Sequence, residues 1–227
     1  MGSLIAASAF FLFIHFGVSG TRLRDVLVAR LGAGPYRGLF SLVSILGIVW
    51  MVHAYEHAAT IETWGQLLAL RPAVLVVVFV AVLFVAIGLA SPSPTSVGME
   101  GKLAQGAAAI RGITRITRHP FLWGVALWAL AHLIVNGDLA SLILFGTLLL
   151  LALFGTVSID AKRRRLFGEQ WRQFAHNTSN VPFAAIAAGR NRFAPALLEI
   201  GLVRPLVGIA IYVWLFWLHG KLIAPLT

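Results

Sequence analysis

The 227 residues are 59% hydrophobic and only 11% charged, and their mean hydropathy is +0.88. A water-soluble domain of this size could not bury so much apolar surface, so the composition predicts an integral membrane protein. The formal charge of +10 comes from Lys and Arg in short stretches between apolar runs, which is typical of membrane topology and lipid contact and argues against nucleic acid. Without cysteine, disulfides, iron–sulfur clusters and thiolate-bound metals are excluded, and histidine is the common strong metal ligand that remains.

Six apolar runs approach or reach the roughly 17 to 25 residues that cross a bilayer as a helix. In chain order they are Ser3–Gly20, Leu39–Tyr55, Pro72–Ala90, Pro120–Val135, Leu139–Ser158 and Arg204–His219. The first run lacks the basic start and small-residue cleavage site of a signal peptide, so we expect it to be a retained span. The pattern predicts an all-α, polytopic bundle that forms one membrane domain over residues 1–227, with room for a cytoplasmic surface helix between the fifth and sixth spans.

The connections between these runs alternate between basic and non-basic. Thr21–Gly38, Ser91–His119 and Ile159–Val203 are rich in arginine, whereas Glu56–Arg71 and Asn136–Asp138 contain one arginine between them. Under the positive-inside rule, this alternation predicts that the basic connections face the cytoplasm of a bacterial inner membrane and that both termini face the periplasm.

Histidines lie inside or beside several of the apolar runs. An ionisable side chain within a span costs about 3 kcal/mol on insertion scales, so each one needs a partner or a function. His15 and His132 lie within the first and fourth spans, His53 lies at the outer end of the second, and His119 opens the fourth at the cytoplasmic boundary. A neutral imidazole is the usual nitrogen ligand of haem iron, but a lone histidine that hydrogen-bonds to a neighbouring helix would satisfy the same pattern.

Arginines at the cytoplasmic boundary would complete such a haem site. A haem b needs cations for its two propionates and apolar walls for its ring. Arg115 and Arg118, together with His119, precede Pro120 at the predicted start of the fourth span, where the helix dipole adds to their attraction for an anion. The same arginines would equally serve as plain topology signals.

His53 and His57 are spaced i, i+4, which places both on one face of a helix and is compatible with joint metal binding. No His-Glu-x-x-His pattern accompanies them, and the chain has no nucleotide-binding glycine loop or zinc signature.

Three segments together resemble the NnrU-like membrane family, which includes bacterial proteins associated with denitrification and the plant zeta-carotene isomerases. The first is His15-Phe-Gly-Val-Ser-Gly-Thr-Arg-Leu-Arg24, continued by Leu31-Gly-Ala-Gly-Pro-Tyr-Arg-Gly-Leu-Phe40. The second is Gly112-Ile-Thr-Arg-Ile-Thr-Arg-His-Pro120, followed by Trp128-Ala-Leu-Ala-His132. The third combines the run from Asp160 to Arg165 with Phe167-Gly168 and Thr178-Ser-Asn-Val-Pro-Phe-Ala-Ala185.

This resemblance implies a haem b, with His15 and His132 as axial ligands, and a redox-gated cis-trans isomerisation of a hydrophobic polyene. The plant isomerases have a cysteine three residues before the second histidine, whereas this chain has Ala129, which excludes a histidine/cysteine ligand switch. Counted from the cytoplasmic ends of their spans, the two histidines differ in depth by roughly 10 Å. His53 with His132 is therefore the alternative ligand pair.

Other functions remain compatible with the sequence. One is a haem protein of nitrogen-oxide metabolism, and another is a non-catalytic regulatory or assembly protein. Arg118-His119-Pro120, with Leu166-Phe-Gly-Glu-Gln-Trp171 and Pro182, also resembles the isoprenylcysteine carboxyl methyltransferase pattern, which implies S-adenosylmethionine as the cofactor. Arg163 to Arg165 replace the paired glutamates of that pattern, and Leu122 replaces its tyrosine.

Overall fold

The computed structural model describes residues 1–222, with side chains to residue 219. In this part of the chain the regular secondary structure is helical apart from one isolated β-bridge between Glu62 and Asp138. The α-helices are α1 (Gly2–Leu12), α2 (Arg22–Leu31), α3 (Ala33–Glu56), α4 (Arg71–Leu89), α5 (Ile113–Ile116), α6 (Pro120–Asn136), α7 (Leu139–Asn177), α8 (Ala184–Ala187), α9 (Phe193–Ile200) and α10 (Val203–Leu222). A π-helix, Phe13–Ser19, continues α1, and 3₁₀ helices form at Leu68–Leu70 and Glu100–Ala109. The predicted all-α class is confirmed.

Four helical segments of the described chain are long and apolar enough to cross a bilayer, which confirms an integral membrane protein. They are Gly2–Ser19, Ala33–Glu56, Leu68–Leu89 and Leu139–Asn177. Helices α9 and α10 are bent by 74° at the break between them and make a fifth span if they are counted together. The predicted number of six spans is wrong because α6 has only 17 residues. At 1.5 Å per residue it is about 25 Å long, against a hydrocarbon core of about 30 Å.

The lipid-facing character of α3 is visible in its exposed side chains. Leu39, Leu42, Ile45, Leu46 and Val49 are each more than half exposed and recur at helical spacing along one face. A stripe of this length on a water-soluble protein would be an aggregation site, whereas hydrocarbon solvates it without penalty. The surface of α3 is therefore that of a helix in lipid.

One compact unit consists of residues 1–74 and 129–158. Within it α1 packs on α3: the Trp50 indole N–H donates to Ser3 Oγ at 3.1 Å, and Gly47 admits the ring of Phe11, which would lie 3.1 Å from a Cβ at that position. The turn between α6 and α7 is closed by the loop after α3. There the carbonyl of Gly137 accepts backbone N–H groups from Thr63, Trp64 and Gly65 at 2.9 to 3.2 Å.

The second compact unit consists of residues 75–128 and those from 159 onward. Helices α4 and α6 approach closely at Gly124, where a Cβ would lie 2.7 Å from the carbonyl oxygen of Ala81. The core of this unit also joins α5 and α9. Its buried members are Phe84, Ile87, Ile113, Ile116, Ala196 and Ile200. This packing fixes the segment just before α6, which carries the predicted cationic residues.

Candidate functional site

His15 lies within the π-helix Phe13–Ser19, a rare geometry that is frequent at functional sites. Its Nδ1–H donates to the carbonyl oxygen of Phe11 at 2.8 Å, and its ring lies against the rings of Phe11 and Phe40 at centroid distances of 4.5 and 5.2 Å. The backbone hydrogen bond fixes the tautomer and leaves the lone pair on Nε2, the arrangement that metal-binding histidines adopt. Nε2 has no partner among the described contacts. His15 therefore fits an axial haem ligand.

His132 lies on α6 and stacks on the ring of Phe145 of α7, with the ring centroids 5.0 Å apart. Phe145 is buried and is also contacted by the ring of Tyr55 at 6.2 Å. Ala129, three residues earlier on α6, is fully buried. The setting is apolar and aromatic, which suits the wall of a haem pocket.

Both histidines belong to the unit formed by residues 1–74 and 129–158. The contacts described for each ring are with its own aromatic neighbours, and their action on one shared cofactor stays a prediction. His53, the alternative ligand, lies at the exposed end of α3 beside His57.

Arg118 and His119 converge on the carboxylate of Asp160, which lies on α7. The Arg118 Nε–H is 3.1 and 3.0 Å from the two carboxylate oxygens, and His119 Nε2 is 2.7 Å from Oδ1. The guanidinium of Arg118 also lies over the ring of Trp171 at 5.7 Å from its centroid. We call Arg118, His119 and Asp160 the Asp160 network.

Buried hydroxyls and a second ion pair hold the segments around this network. Thr117 Oγ1 accepts the backbone N–H of His119 at 3.2 Å, and the hydroxyl of Thr95 donates to the backbone carbonyl of Arg118. Arg163, which is buried one turn after Asp160, pairs with Glu100 at 3.0 Å and donates to the carbonyl oxygen of Pro94 at 3.2 Å. The segments before α6 and after α4 are therefore tied to α7 by polar contacts.

His119 is neutral in this setting. Burial lowers the pKa of His119 below its ordinary value of 6.5, and the positive charges of Arg118 and Arg163 lower it further, against the raising effect of Asp160. Because a carboxylate only accepts, the neutral imidazole donates its Nε2–H to Asp160. The net charge of the Asp160 network is therefore zero, with Arg118 balanced by Asp160.

Arg115 pairs with a different carboxylate, Glu199 of α9. Its Nε–H and one terminal N–H donate to the two oxygens of Glu199 at 2.8 Å each, and another terminal N–H donates to Asn191 at 3.0 Å. Glu199 also accepts the backbone N–H of Gly112, at 2.6 Å. The hydrogen bond to Glu199 raises the pKa of Arg115 further above its ordinary range. This bidentate geometry is among the stronger forms of ion pair.

The structure thus divides the three predicted anion-binding residues, Arg115, Arg118 and His119, between two internal carboxylates. A cavity of about 200 Å³ opens beside Glu199, and Lys102, Arg111 and Arg204 contribute cations to its lining. Binding of a cofactor by Arg115, Arg118 and His119 stays a prediction, and a bound anion would have to compete with the carboxylates already there.

Asp160 and Glu199 were not among the residues expected to form the site. The sequence does hold one indication of them, because acidic residues are scarce: the chain has only eight. Asp160 also lies just after an apolar run that ends at Ser158. An acidic residue at that position needs a cationic partner. The sequence alone did not identify which of the 18 basic residues would supply it.

Sequence comparison with known proteins finds a matching family model and related plant proteins. The family model described as NnrU protein matches residues 3–225. The chloroplastic 15-cis-zeta-carotene isomerase of Arabidopsis thaliana is 30% identical over 183 residues, which are 79% of this chain and 49% of that protein. The chloroplastic 15-cis-zeta-carotene isomerase of Zea mays is 32% identical over 81 residues, 36% of this chain and 22% of that protein. The chain therefore spans half or less of the length of these relatives, and no solved structure matches it.

Proposed function

Because the chain belongs to the NnrU family, we propose that it is a haem-binding membrane isomerase that converts a cis double bond of a carotenoid, or of a similar hydrophobic polyene, to trans. Two relatives named as 15-cis-zeta-carotene isomerases support the reaction class. The observation that best supports the cofactor is the geometry of His15. Its Nδ1–H donates to the carbonyl oxygen of Phe11, and its Nε2 has no partner among the described contacts.

The residues of this chain would hold a haem b in the following way. His15, through Nε2, and His132 would hold the iron. The bond from Nδ1–H to Phe11 fixes the ring plane of His15 and increases the basicity of the ligating nitrogen. When bound, the haem supplies one-electron chemistry. Phe11, Phe40 and Phe145 surround the imidazoles with apolar surface, which excludes water and favours a polyene substrate over a polar one.

The absence of cysteine from these 227 residues limits how such an enzyme would be regulated. With Ala129 buried three residues before His132, no thiolate is present to replace the imidazole. Control by redox state would then act through the iron and the occupancy of its two histidines, with no exchange of one ligand type for another.

Absorption spectra of the detergent-purified protein, oxidised and then reduced, test the cofactor. A Soret band that shifts on reduction is expected. Incubation of the reduced and the oxidised protein with 15-cis-zeta-carotene, followed by chromatographic separation of the isomers, tests the reaction, and only one redox state should catalyse conversion. A haem spectrum without isomerisation would favour the role in nitrogen-oxide metabolism, and a colourless protein would overturn the haem proposal.

A second function, methyl transfer from S-adenosylmethionine, is supported by one contact. The guanidinium of Arg118 lies over the ring of Trp171, so two segments that resemble the isoprenylcysteine carboxyl methyltransferase pattern adjoin in the fold. Asp160 already neutralises Arg118, which weakens the attraction for the carboxylate of that cofactor. Equilibrium binding of S-adenosylmethionine to a colourless preparation would favour this function, and absence of binding would exclude it.

For the orientation, we propose that the basic connections face the cytoplasm of a bacterial inner membrane, with the turn at Asn136–Asp138 on the periplasmic side. That orientation requires α6 to cross the bilayer although it has only 17 residues. Both termini share the periplasmic side if the total number of crossings is even. Reporter fusions after Asp138 and after Arg172 should give opposite signals, because most of α7 lies between them. Like signals would contradict the orientation.

A further inference from the structure

Three metal-ligating side chains share one exposed face at the end of α3. His53, Glu56 and His57 are spaced i, i+3 and i+4, and each offers a ligand atom that lies within 4.8 Å of the other two. All three are exposed. Among the described residues, no other group of three or more histidines and carboxylates has its ligand atoms this close together.

The intervening residues anchor this turn of helix from its other side. Ala54 is buried, and the hydroxyl of Tyr55 is hydrogen-bonded to Ser141 Oγ at 2.9 Å. Tyr55 also contacts the ring of buried Phe145. The backbone that carries the three ligands is therefore fixed, while the ligating side chains themselves are free to adjust.

One of the two imidazoles is already set for ligation. The Nδ1–H of His57 donates to the carbonyl oxygen of His53 at 2.8 Å, which leaves the lone pair of His57 on Nε2. Hydrogen bonding of one ring nitrogen to a backbone carbonyl is the arrangement that orients histidine ligands in metal sites. The rings of His53 and His57 are 4.3 Å apart between centroids, so the two imidazoles are direct neighbours.

We propose that His53, Glu56 and His57 bind one divalent transition-metal ion of the Zn²⁺ type, at a site separate from the haem. Two imidazoles and a carboxylate are the donor set of open zinc sites, in which water occupies the fourth position. In a tetrahedral site, two ligands at about 2.1 Å from one ion lie about 3.4 Å apart. The ligand atoms lie within 4.8 Å of one another, so the side chains must close by up to about 1.4 Å. Exposed rotamers allow this closure. The charge of Glu56 compensates part of the charge of the ion.

Competition for Zn²⁺ between a chromophoric chelator and the tag-free, detergent-purified full chain tests the site. One equivalent of Zn²⁺ should bind, and His53→Ala and His57→Ala should each weaken the affinity by about tenfold or more, with a smaller loss for Glu56→Gln. The matched control is His176→Ala, which removes another exposed histidine and should leave the affinity unchanged. Co²⁺ in place of Zn²⁺ should give visible absorption bands of a low-coordinate site, and the double variant His53→Ala/His57→Ala should lose them.

The proposal is independent of the haem, so the haem spectrum is recorded on the same samples. An unchanged Soret band in the double variant, together with lost Zn²⁺ binding, would support a separate site whether or not the isomerase activity is found. Equal Zn²⁺ affinity in the double variant and the parent would overturn the proposal. Loss of the Soret band in His53→Ala would also overturn it, because His53 would then serve the haem.

Discussion

His15 and His119 have the same side chain, but their hydrogen bonds leave the two imidazoles with different chemistry. The Nε2–H of His119 is donated to Asp160, and the side chain is buried within a network whose charges cancel. His15 gives its Nδ1–H to a backbone carbonyl and keeps Nε2 without a partner among the described contacts. The first arrangement satisfies the imidazole and makes it a structural element, whereas the second leaves a lone pair available to a metal. The position of the second nitrogen is therefore more informative than the presence of a histidine beside a span.

The largest effect is expected at the two predicted haem ligands. His15→Ala and His132→Ala should each remove or strongly alter the haem spectrum, because a haem with two imidazole ligands is low-spin and loss of one ligand leaves it five-coordinate. The haem content and the spin state are measured by absorption and electron paramagnetic resonance spectroscopy. His119→Gln should leave the spectrum unchanged, since Asp160 already holds that ring.

One pattern of haem spectra would contradict the roles assigned to His15 and His132. Unchanged haem content in both His15→Ala and His132→Ala, together with its loss in His53→Ala, would show that the outer histidine is the ligand. The control His219→Ala, at the far end of α10, should change nothing.

Asp160→Asn should cause the largest loss of stability. It removes the charge that balances Arg118, and the two side chains are only 13% and 11% exposed, so the arginine is left largely buried and unpaired. Breaking a buried ion pair in this way costs about 3 to 5 kcal/mol. Thermal unfolding in detergent measures the change. Glu169→Gln breaks a pair whose side chains are 71% and 63% exposed and should leave the midpoint unchanged; a similar loss in both variants would contradict a special role for Asp160.

Glu199→Gln should reduce the stability less than Asp160→Asn does, although Arg115 and Glu199 form a bidentate pair. Arg115 and Glu199 are 26% and 30% exposed, so solvent screens the pair and the expected loss is about 1 kcal/mol. A double-mutant cycle with Arg115→Gln isolates the coupling between the two residues. A coupling as large as the loss at Asp160 would mean that the pair is desolvated by lipid or by a bound molecule.

The smallest effect is expected from pH. Because the pKa of His119 is lowered in the folded protein, the unfolded chain binds more protons as the pH falls below the ordinary value of 6.5. The stability due to neutral His119 is therefore present above pH 6.5 and is lost as the pH falls through that value toward the lowered pKa. In His119→Gln the unfolding midpoint should depend less steeply on pH in this window. An unchanged slope would indicate that His119 does not titrate there.

The apolar runs predicted most of the helices, because hydropathy alone determines where a helix can lie in lipid. The number of spans is wrong where length is marginal, as in α6, which has 17 residues. The sequence predicts one polar site for Arg115, Arg118 and His119, whereas the structure pairs Arg115 with Glu199 and the other two with Asp160. Asp160 was not predicted because the arginines after it are typical of a topology signal. Partner choice depends on tertiary packing, which periodicity does not encode. The π-helix around His15 was not predicted either, since its side-chain pattern over seven residues is too short to distinguish from an α-helix.

The π-helix at Phe13–Ser19 makes the direction of His15 a matter of chain length as well as of side-chain identity. A π-helix closes its hydrogen bonds one residue later than an α-helix, so it accommodates one residue more than the regular geometry needs. Removing one residue between Ile14 and Gly20 would let the segment return to α-helical hydrogen bonding. The segments on either side would then keep nearly their present relative orientation, whereas the same deletion in a regular α-helix would rotate everything after it by about 100°. The first span therefore carries a built-in insertion, and a deletion there would change the direction of the His15 side chain while the segment that leads into α2 kept its place.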